Sequence, residues 1–176
     1  MAHLFTPRRR LILRNLSALG LLSLSGLSAC GFKLRGSVNI PYKAILISGR
    51  PSPQLRYDLE RIISTGTNAK VVTNGKDADL ILEIVSEEST RQILTYTSTG
   101  QISAYRLNNR VIFRAFDNTG AEVIAESDLY VTRDLDFSTS TVLAADAQQQ
   151  QFLESMRADL AIQILRRVAT LGRVAK

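Results

Sequence analysis

The chain has 176 residues, 22 Lys and Arg against 16 Asp and Glu, and a formal net charge of +6, with one His, one Cys and no Trp. His3 and Cys30 both sit near the start, so the body of the chain offers neither imidazole nor thiol, which excludes a Ser-His-Asp or Cys-His site, an HExxH metal site and a zinc cluster. No GxGxxG or GxxxxGK[ST] loop occurs, and neither paired carboxylates nor a Ser-Lys arrangement has a local signature, so no catalytic residue, metal or cofactor is assigned and the chain reads as a non-enzyme.

Arg8, Arg9, Arg10 and Arg14 form a positive leader, followed by a run of apolar and small residues from Leu16 to Leu27. This is the layout of a secretory signal peptide. The run falls short of the roughly 20 apolar residues that span a bilayer. Leu and Ser alternate in it without the 3.6-residue stripe of an amphipathic helix. The sequence Leu27-Ser28-Ala29-Cys30 resembles the lipobox of bacterial lipoproteins, which implies cleavage after Ala29 and diacylation of Cys30. The competing reading is an ordinary small-residue cleavage site beside a chance Cys. Two acyl chains suffice for stable anchoring. In such lipoproteins Asp after the Cys retains the protein at the inner membrane, so Gly31 implies the outer membrane, lipid-anchored on the periplasmic side. Arg9 to Arg14 also resembles part of a twin-arginine export motif, although no cofactor motif calls for folding before export. All four leader arginines would leave with residues 1–29, so the basic pI is largely a targeting signal and nucleic acid is not the expected partner.

Residues 30–43 lack helical periodicity and read as a lipidated tether, with a single domain over 44–176. Ala44 to Ser48 is a short apolar strand closed by Gly49. Ser52-Pro53 supplies a helix cap and a first-turn proline, and Leu55, Leu59, Ile62 and Ile63 give an apolar stripe ending near Gly66. Arg56 and Glu60 are spaced as a solvent-exposed pair. Lys70 to Thr73 is a short strand closed by Asn74-Gly75. In Ala78 to Ser86, Leu80, Leu82 and Ile84 share one side, Ile81, Glu83 and Val85 the other. The polar run Glu87 to Gln92 predicts a bend or bulge before Ile93 to Tyr96, and Ser98-Thr99-Gly100 is a turn.

From Ile102 to Phe116 the odd positions Tyr105, Leu107, Val111, Phe113 and Ala115 are apolar, whereas the even ones include Arg106, Arg110 and Arg114. After the turn at Asp117 to Gly120, odd positions Val123, Ala125, Leu129, Val131, Leu135 and Phe137 are apolar, and even ones include Glu122, Glu126, Asp128 and Asp134. Alternation of this kind describes an antiparallel hairpin with one dry and one charged face. A register placing Arg110 opposite Asp128 makes the charged face a set of cross-strand ion pairs, the competing reading being an anionic-ligand surface. Ser140 or Thr141 can cap a final helix whose apolar residues run from Phe152 and Leu153 through Met156, Leu160, Ile164 and Val168 to Leu171. Arg157, Arg166 and Arg167 are assigned to its solvent face, and Gln148 to Gln151 to its exposed first half. The expected fold is an α+β, two-layer sandwich of about four mainly antiparallel strands with two helices packed on one face.

Cys30, Gly31, Phe32, Lys33, Leu34, Arg35 and Gly36 are similar to the C-G-[FW]-x-L-R-G opening of the LptE family of lipopolysaccharide-assembly outer-membrane lipoproteins. The resemblance extends through Gly100-Gln101, Ala104-Tyr105, Val142 to Ala145 and Met156 to Arg167. It implies the same sandwich and a non-enzymatic role: plugging and helping assemble the LptD-type β-barrel, and assisting lipopolysaccharide insertion into the outer leaflet. The implied partners are that barrel, lipopolysaccharide and the membrane. Family members can carry a basic residue just before the Gly-Gln turn and another ahead of the last helix, where this chain has Ser98 or Thr99 and Ala145. Arg91, Arg106 and Arg133 are therefore the candidate lipopolysaccharide contacts, by charge alone. The alternatives are an accessory lipoprotein of another lipid-transport or barrel-assembly machine, and an anchored cell-wall hydrolase, which would need two convergent carboxylates.

Overall fold

The computed structural model describes residues 39–136 and 142–174. Ala29, Cys30, the C-G-F-K-L-R-G segment, Phe137 and the capping candidates Ser140 and Thr141 lie outside the described residues.

The elements run β1 (Ala44–Gly49), α1 (Pro53–Gly66), β2 (Lys70–Val72), a 3-10 turn (Gly75–Asp77), β3 (Leu80–Tyr96), β4 (Ile102–Asp117), β5 (Glu122–Asp136) and α2 (Val142–Val174). One five-stranded sheet has the order β2-β1-β3-β4-β5. The class is the expected α+β sandwich, with one strand more than anticipated and a mixed sheet: β1 is parallel to both β2 and β3. A parallel pair needs a crossover, which α1 provides between β1 and β2. Gly49 ends β1 at φ 81°, where a Cβ would lie 2.1 Å from the Ile84 carbonyl oxygen, so only glycine allows this exit.

Ser52 caps α1 as anticipated, its Oγ accepting from the Leu55 N–H at 3.1 Å. Glu87 of β3 reaches the same helix end, accepting from Ser52 N–H at 2.7 Å and from Ser52 Oγ at 3.0 Å. A carboxylate at a helix N-terminus is favourable, and here it also ties α1 to the sheet. Arg56 and Glu60 stand 3.9 Å apart, a loose exposed pair. At the other end of α1, Asn68 clasps the backbone of Ile40, accepting from its N–H at 2.8 Å and donating to its carbonyl at 3.0 Å. Ile40 is buried in the core. The folded domain therefore takes in Ile40, inside the stretch read as tether.

The main core lies between the helices and the proximal end of the sheet. It joins Leu55, Leu59 and Ile63 of α1 to Leu82 and Ile84 of β3, Phe113 of β4, and Leu160, Ile164 and Val168 of α2. A smaller cluster of Leu107, Leu135 and Met156, with Val131 and Phe152 packed on it, lies farther along the same strands. Between them sits the buried Asn109, whose Oδ1 accepts from Ser89 Oγ at 3.2 Å. No helix among the described residues is long and apolar enough to cross a membrane.

β3 runs unbroken, and its irregularities fall at the two ends of the polar run rather than inside it. Ile84 pairs with Phe113 but Ser86 with Ile112, which leaves Val85 as an extra residue; Leu94 is another between Ile93 and Thr95. An extra residue shifts the alternation by one. Leu80, Leu82 and Ile84 point to the helices, whereas beyond Val85 the odd residues do. β5 carries comparable shifts near its start: Phe113 pairs with Ser127 but Ala115 with Ile124. Ile124 is consequently the buried residue there, while Val123 is half-buried and Ala125 exposed, which corrects the uniform odd-position pattern.

Arg157 does not belong to the solvent face. Its Nε lies 3.2 Å from Asp58 Oδ2, and Arg61 Nη2 lies 3.2 Å from Asp58 Oδ1, so one carboxylate of α1 joins the two helices. The side chains of Arg157 and Asp58 are only 21% and 11% exposed. Arg166 and Arg167 are exposed, as assigned.

Candidate functional site

The helices cover one face of the sheet, and the other face is open. On β4, Arg106, Arg110 and Arg114 recur every fourth residue and therefore project from the same, open side. Each meets a carboxylate. Arg106 stands opposite Asp134, donating from Nε to Oδ1 at 2.8 Å and from Nη2 to Oδ2 at 3.0 Å. Arg110 reaches Asp128, with Nε to Oδ1 at 2.9 Å and Nη2 to Oδ2 at 2.7 Å. Arg114 donates from Nε to Glu83 Oε2 on β3 at 2.7 Å. The Arg110 pair is diagonal, because the residue facing Arg110 across β5 is Tyr130 and the one facing Asp128 is Ile112. Planar guanidinium groups match carboxylates in this two-bond geometry. The hydrogen bonds, then the charge, of Arg110 and Arg106 hold the Asp128 and Asp134 carboxyls below the usual carboxylate range.

The three cationic candidates separate onto two faces. Arg106 is on the open face and committed to Asp134. Arg91 and Arg133 flank Leu107 in one cross-strand row on the helix side. Arg91 donates from Nη1 to Gln149 Oε1 of α2 at 2.9 Å and stacks 4.5 Å from the Tyr105 ring centroid. Arg133 lies 3.6 Å from Asp159 and 5.7 Å from the Phe152 ring centroid. Arg91 is thus the one of the three that meets no carboxylate among the described residues.

Three successive rows cross the open face farther along the strands: Glu88, Arg110 and Tyr130; then Thr90, Asn108 and Thr132; then Gln92, Arg106 and Asp134. The middle row is short and uncharged, so it floors a trough between two rows of longer side chains. A shallow cavity of about 360 Å³ occupies it, lined by Glu88, Thr90, Gln92, Asn108, Arg110 and Tyr130. Tyr130, 71% exposed, is the most exposed large hydrophobic residue among the described residues. None of its surroundings was anticipated from sequence apart from Arg110. The one available signal was even-numbered Thr90, Gln92 and Asn108, and the Val85 bulge obscures which face the first two take. A second groove of about 290 Å³ lies between the helices beside Tyr57, Asp58, Glu154 and Arg157. Among the described residues no three metal-ligating side chains converge.

The domain is thus a two-layer α+β sandwich whose second sheet face is open and charge-paired. The comparisons make the class specific. The LptE family, lipopolysaccharide-assembly, matches residues 38–168. The chain belongs to this family. Lipoprotein B from Nitrosomonas europaea is similar in structure at 32% identity and TM-score 0.72, covering 81% of this chain and 93% of that one. Rare lipoprotein B from Shewanella oneidensis (20% identity, TM-score 0.61, 74% and 96% coverage) and a minor lipoprotein from Acinetobacter baumannii (20%, 0.62, 74% and 93%) share the fold. No curated protein sequence gives a significant match.

Proposed function

We propose that this member of the lipopolysaccharide-assembly family is an outer-membrane lipoprotein that plugs an LptD-type β-barrel, helps it assemble and assists lipopolysaccharide insertion into the outer leaflet. Residues 1–29 are the signal peptide, Ala29 flanks the cleavage site, and Cys30 carries the lipids that hold the domain on the periplasmic side. The observation that carries the plug reading is the open sheet face, where Arg106, Arg110 and Arg114 each meet a carboxylate. Such a face is polar and leaves none of these three cations without a carboxylate, which suits the polar lumen of a large outer-membrane barrel. Paired charges enter a confined aqueous space without leaving an uncompensated ion.

Of the three arginines proposed to contact lipopolysaccharide, Arg91 is the strongest, because its guanidinium is held by an amide and an aromatic ring and keeps its charge for a phosphate. Arg106 and Arg133 would first have to leave Asp134 and Asp159. The role needs no catalytic group.

The test is affinity purification of a C-terminally tagged chain from detergent-extracted outer membranes, with the companion protein identified by mass spectrometry. A near-stoichiometric LptD-type barrel is expected. Recovery of a correctly localised, folded lipoprotein without a barrel would shift the function to an accessory subunit of a different envelope machine.

A further inference from the structure

We propose that the trough on the open sheet face is a binding site for an uncharged sugar ring. Its location follows from the register. Beyond the Val85 bulge, Glu88, Thr90 and Gln92 of β3 share a face with Asn108 and Arg110 of β4 and Tyr130 of β5. The two bounding rows are four residues apart along each strand, roughly 14 Å at about 3.4 Å per residue, which leaves room for a pyranose lying flat on Thr90 and Asn108.

Three features select this ligand. Tyr130 presents an exposed aromatic face at the rim of a hydrogen-bonding floor, and such a face packs against the C–H side of a sugar ring. The floor and walls mix donors and acceptors: Asn108 and Gln92 are amides, Glu88 a carboxylate and Thr90 a hydroxyl, the set that pairs with neighbouring hydroxyls. The Asn108 amide makes only a long contact, 3.4 Å to Thr90 Oγ1, and the Gln92 side chain has no partner among the described residues. Charge then separates a neutral sugar from an anion. Arg110 lines the cavity and Arg106 stands in the opposite bounding row, but Arg110 is already claimed by Asp128 and Arg106 by Asp134, and Arg110 also faces Glu88 across the strand pair. The local balance is negative, which repels phosphate and carboxylate groups.

The proposal rests on the lipopolysaccharide-assembly reading only for the source of the sugar, since lipopolysaccharide carries a saccharide chain. It differs from the Arg91 contact in face and in chemistry. A shallow open site with one aromatic platform gives weak binding, on the order of millimolar, because little of the ligand is buried.

The experiment uses the full purified protein in detergent, with a neutral hexose oligosaccharide, free of phosphate and carboxylate groups, as the probe and inorganic phosphate as a control. Backbone NMR shifts are expected at Thr90, Asn108 and Tyr130 with the oligosaccharide and not with phosphate. Tyr130→Ala, at an exposed position, should weaken binding roughly tenfold, the effect of losing about one aromatic contact. Gln92→Ala should weaken it less, and Arg166→Ala, at an exposed position of α2, should leave it unchanged. Shifts that map elsewhere, that need phosphate, or that survive both Tyr130→Ala and Gln92→Ala would overturn the site. Barrel co-purification is scored separately: a recovered barrel with no oligosaccharide shifts refutes the sugar site alone, and localised shifts without a barrel refute the plug alone.

Discussion

The three long strands serve two different ends of the molecule. At the proximal end, Leu82 and Ile84 of β3 and Phe113 of β4 share one core with the apolar residues of both α1 and α2. At the distal end the same strands carry only the small cluster around Leu107, Leu135 and Met156, covered by α2 alone. The hairpin then continues from Gln92 to Tyr105 without a charged residue, exposing Ile93, Leu94 and Tyr96. The Val85 bulge and the buried Asn109 with Ser89 mark the change between the two ends. The difference teaches that stability is concentrated at one end, which leaves the other free to present the trough, the uncharged tip and Arg91.

Substitutions should break this contrast in a graded order. Phe113→Ala opens a cavity in the main core and is expected to cost about 3 to 5 kcal/mol, read as a lower urea midpoint for the whole domain. Met156→Ala should cost about 2 kcal/mol, with hydrogen-exchange protection lost first in β3 beyond Ser86 and in the facing part of β4. Equal loss of protection at both ends would contradict the division. Asp58→Ala strips Arg157 and Arg61 of their shared partner and should cost about 1 to 2 kcal/mol in thermal unfolding, since Arg157 is left mostly covered without a carboxylate.

The smallest effect is expected on the open face. Asp128 and Asp134 have carboxyls depressed below their ordinary 3.8 by hydrogen bonds and charge from Arg110 and Arg106. Their contribution is therefore present above that value and is lost as pH falls through the lower folded-state values. Acid titration followed by circular dichroism should show this as a shallow decline below pH 3.8 that flattens in Asp134→Asn. Both pairs are about half exposed, so solvent and salt screen them.

Much of the proximal end was legible in the sequence because its signals are local. The Ser52-Pro53 cap, the α1 stripe, the β4 alternation and the long α2 periodicity each report burial through spacing alone. The distal end was less so, because a bulge leaves no side-chain signature: Val85 looks like any strand residue, yet it reverses the faces of Glu87 to Ile93. The parallel pairing of β1 was hidden for a related reason, since alternation is blind to strand direction. Asp58 and Arg157 are far apart in the chain, and neither residue's own helix announces the other. Arg133 shares its odd numbering with Val131 and Leu135, which already put it on the opposite side from Arg106. Selection by charge alone overlooked that parity. The ion-paired character of the even face was readable, whereas the trough needed the register.

The plug is tested most directly by asking what surrounds the domain. A photo-crosslinking residue placed in turn at Ser98 on the hairpin tip, Thr132 on the open sheet face and Arg166 on the outer side of α2 samples three directions, all exposed in the isolated chain. After irradiation of intact cells, the account predicts that all three positions form adducts with the same outer-membrane barrel, because a plug is encircled. Adducts from one direction only, with the other positions remaining open to solvent, would contradict it and make the domain a side-docked companion.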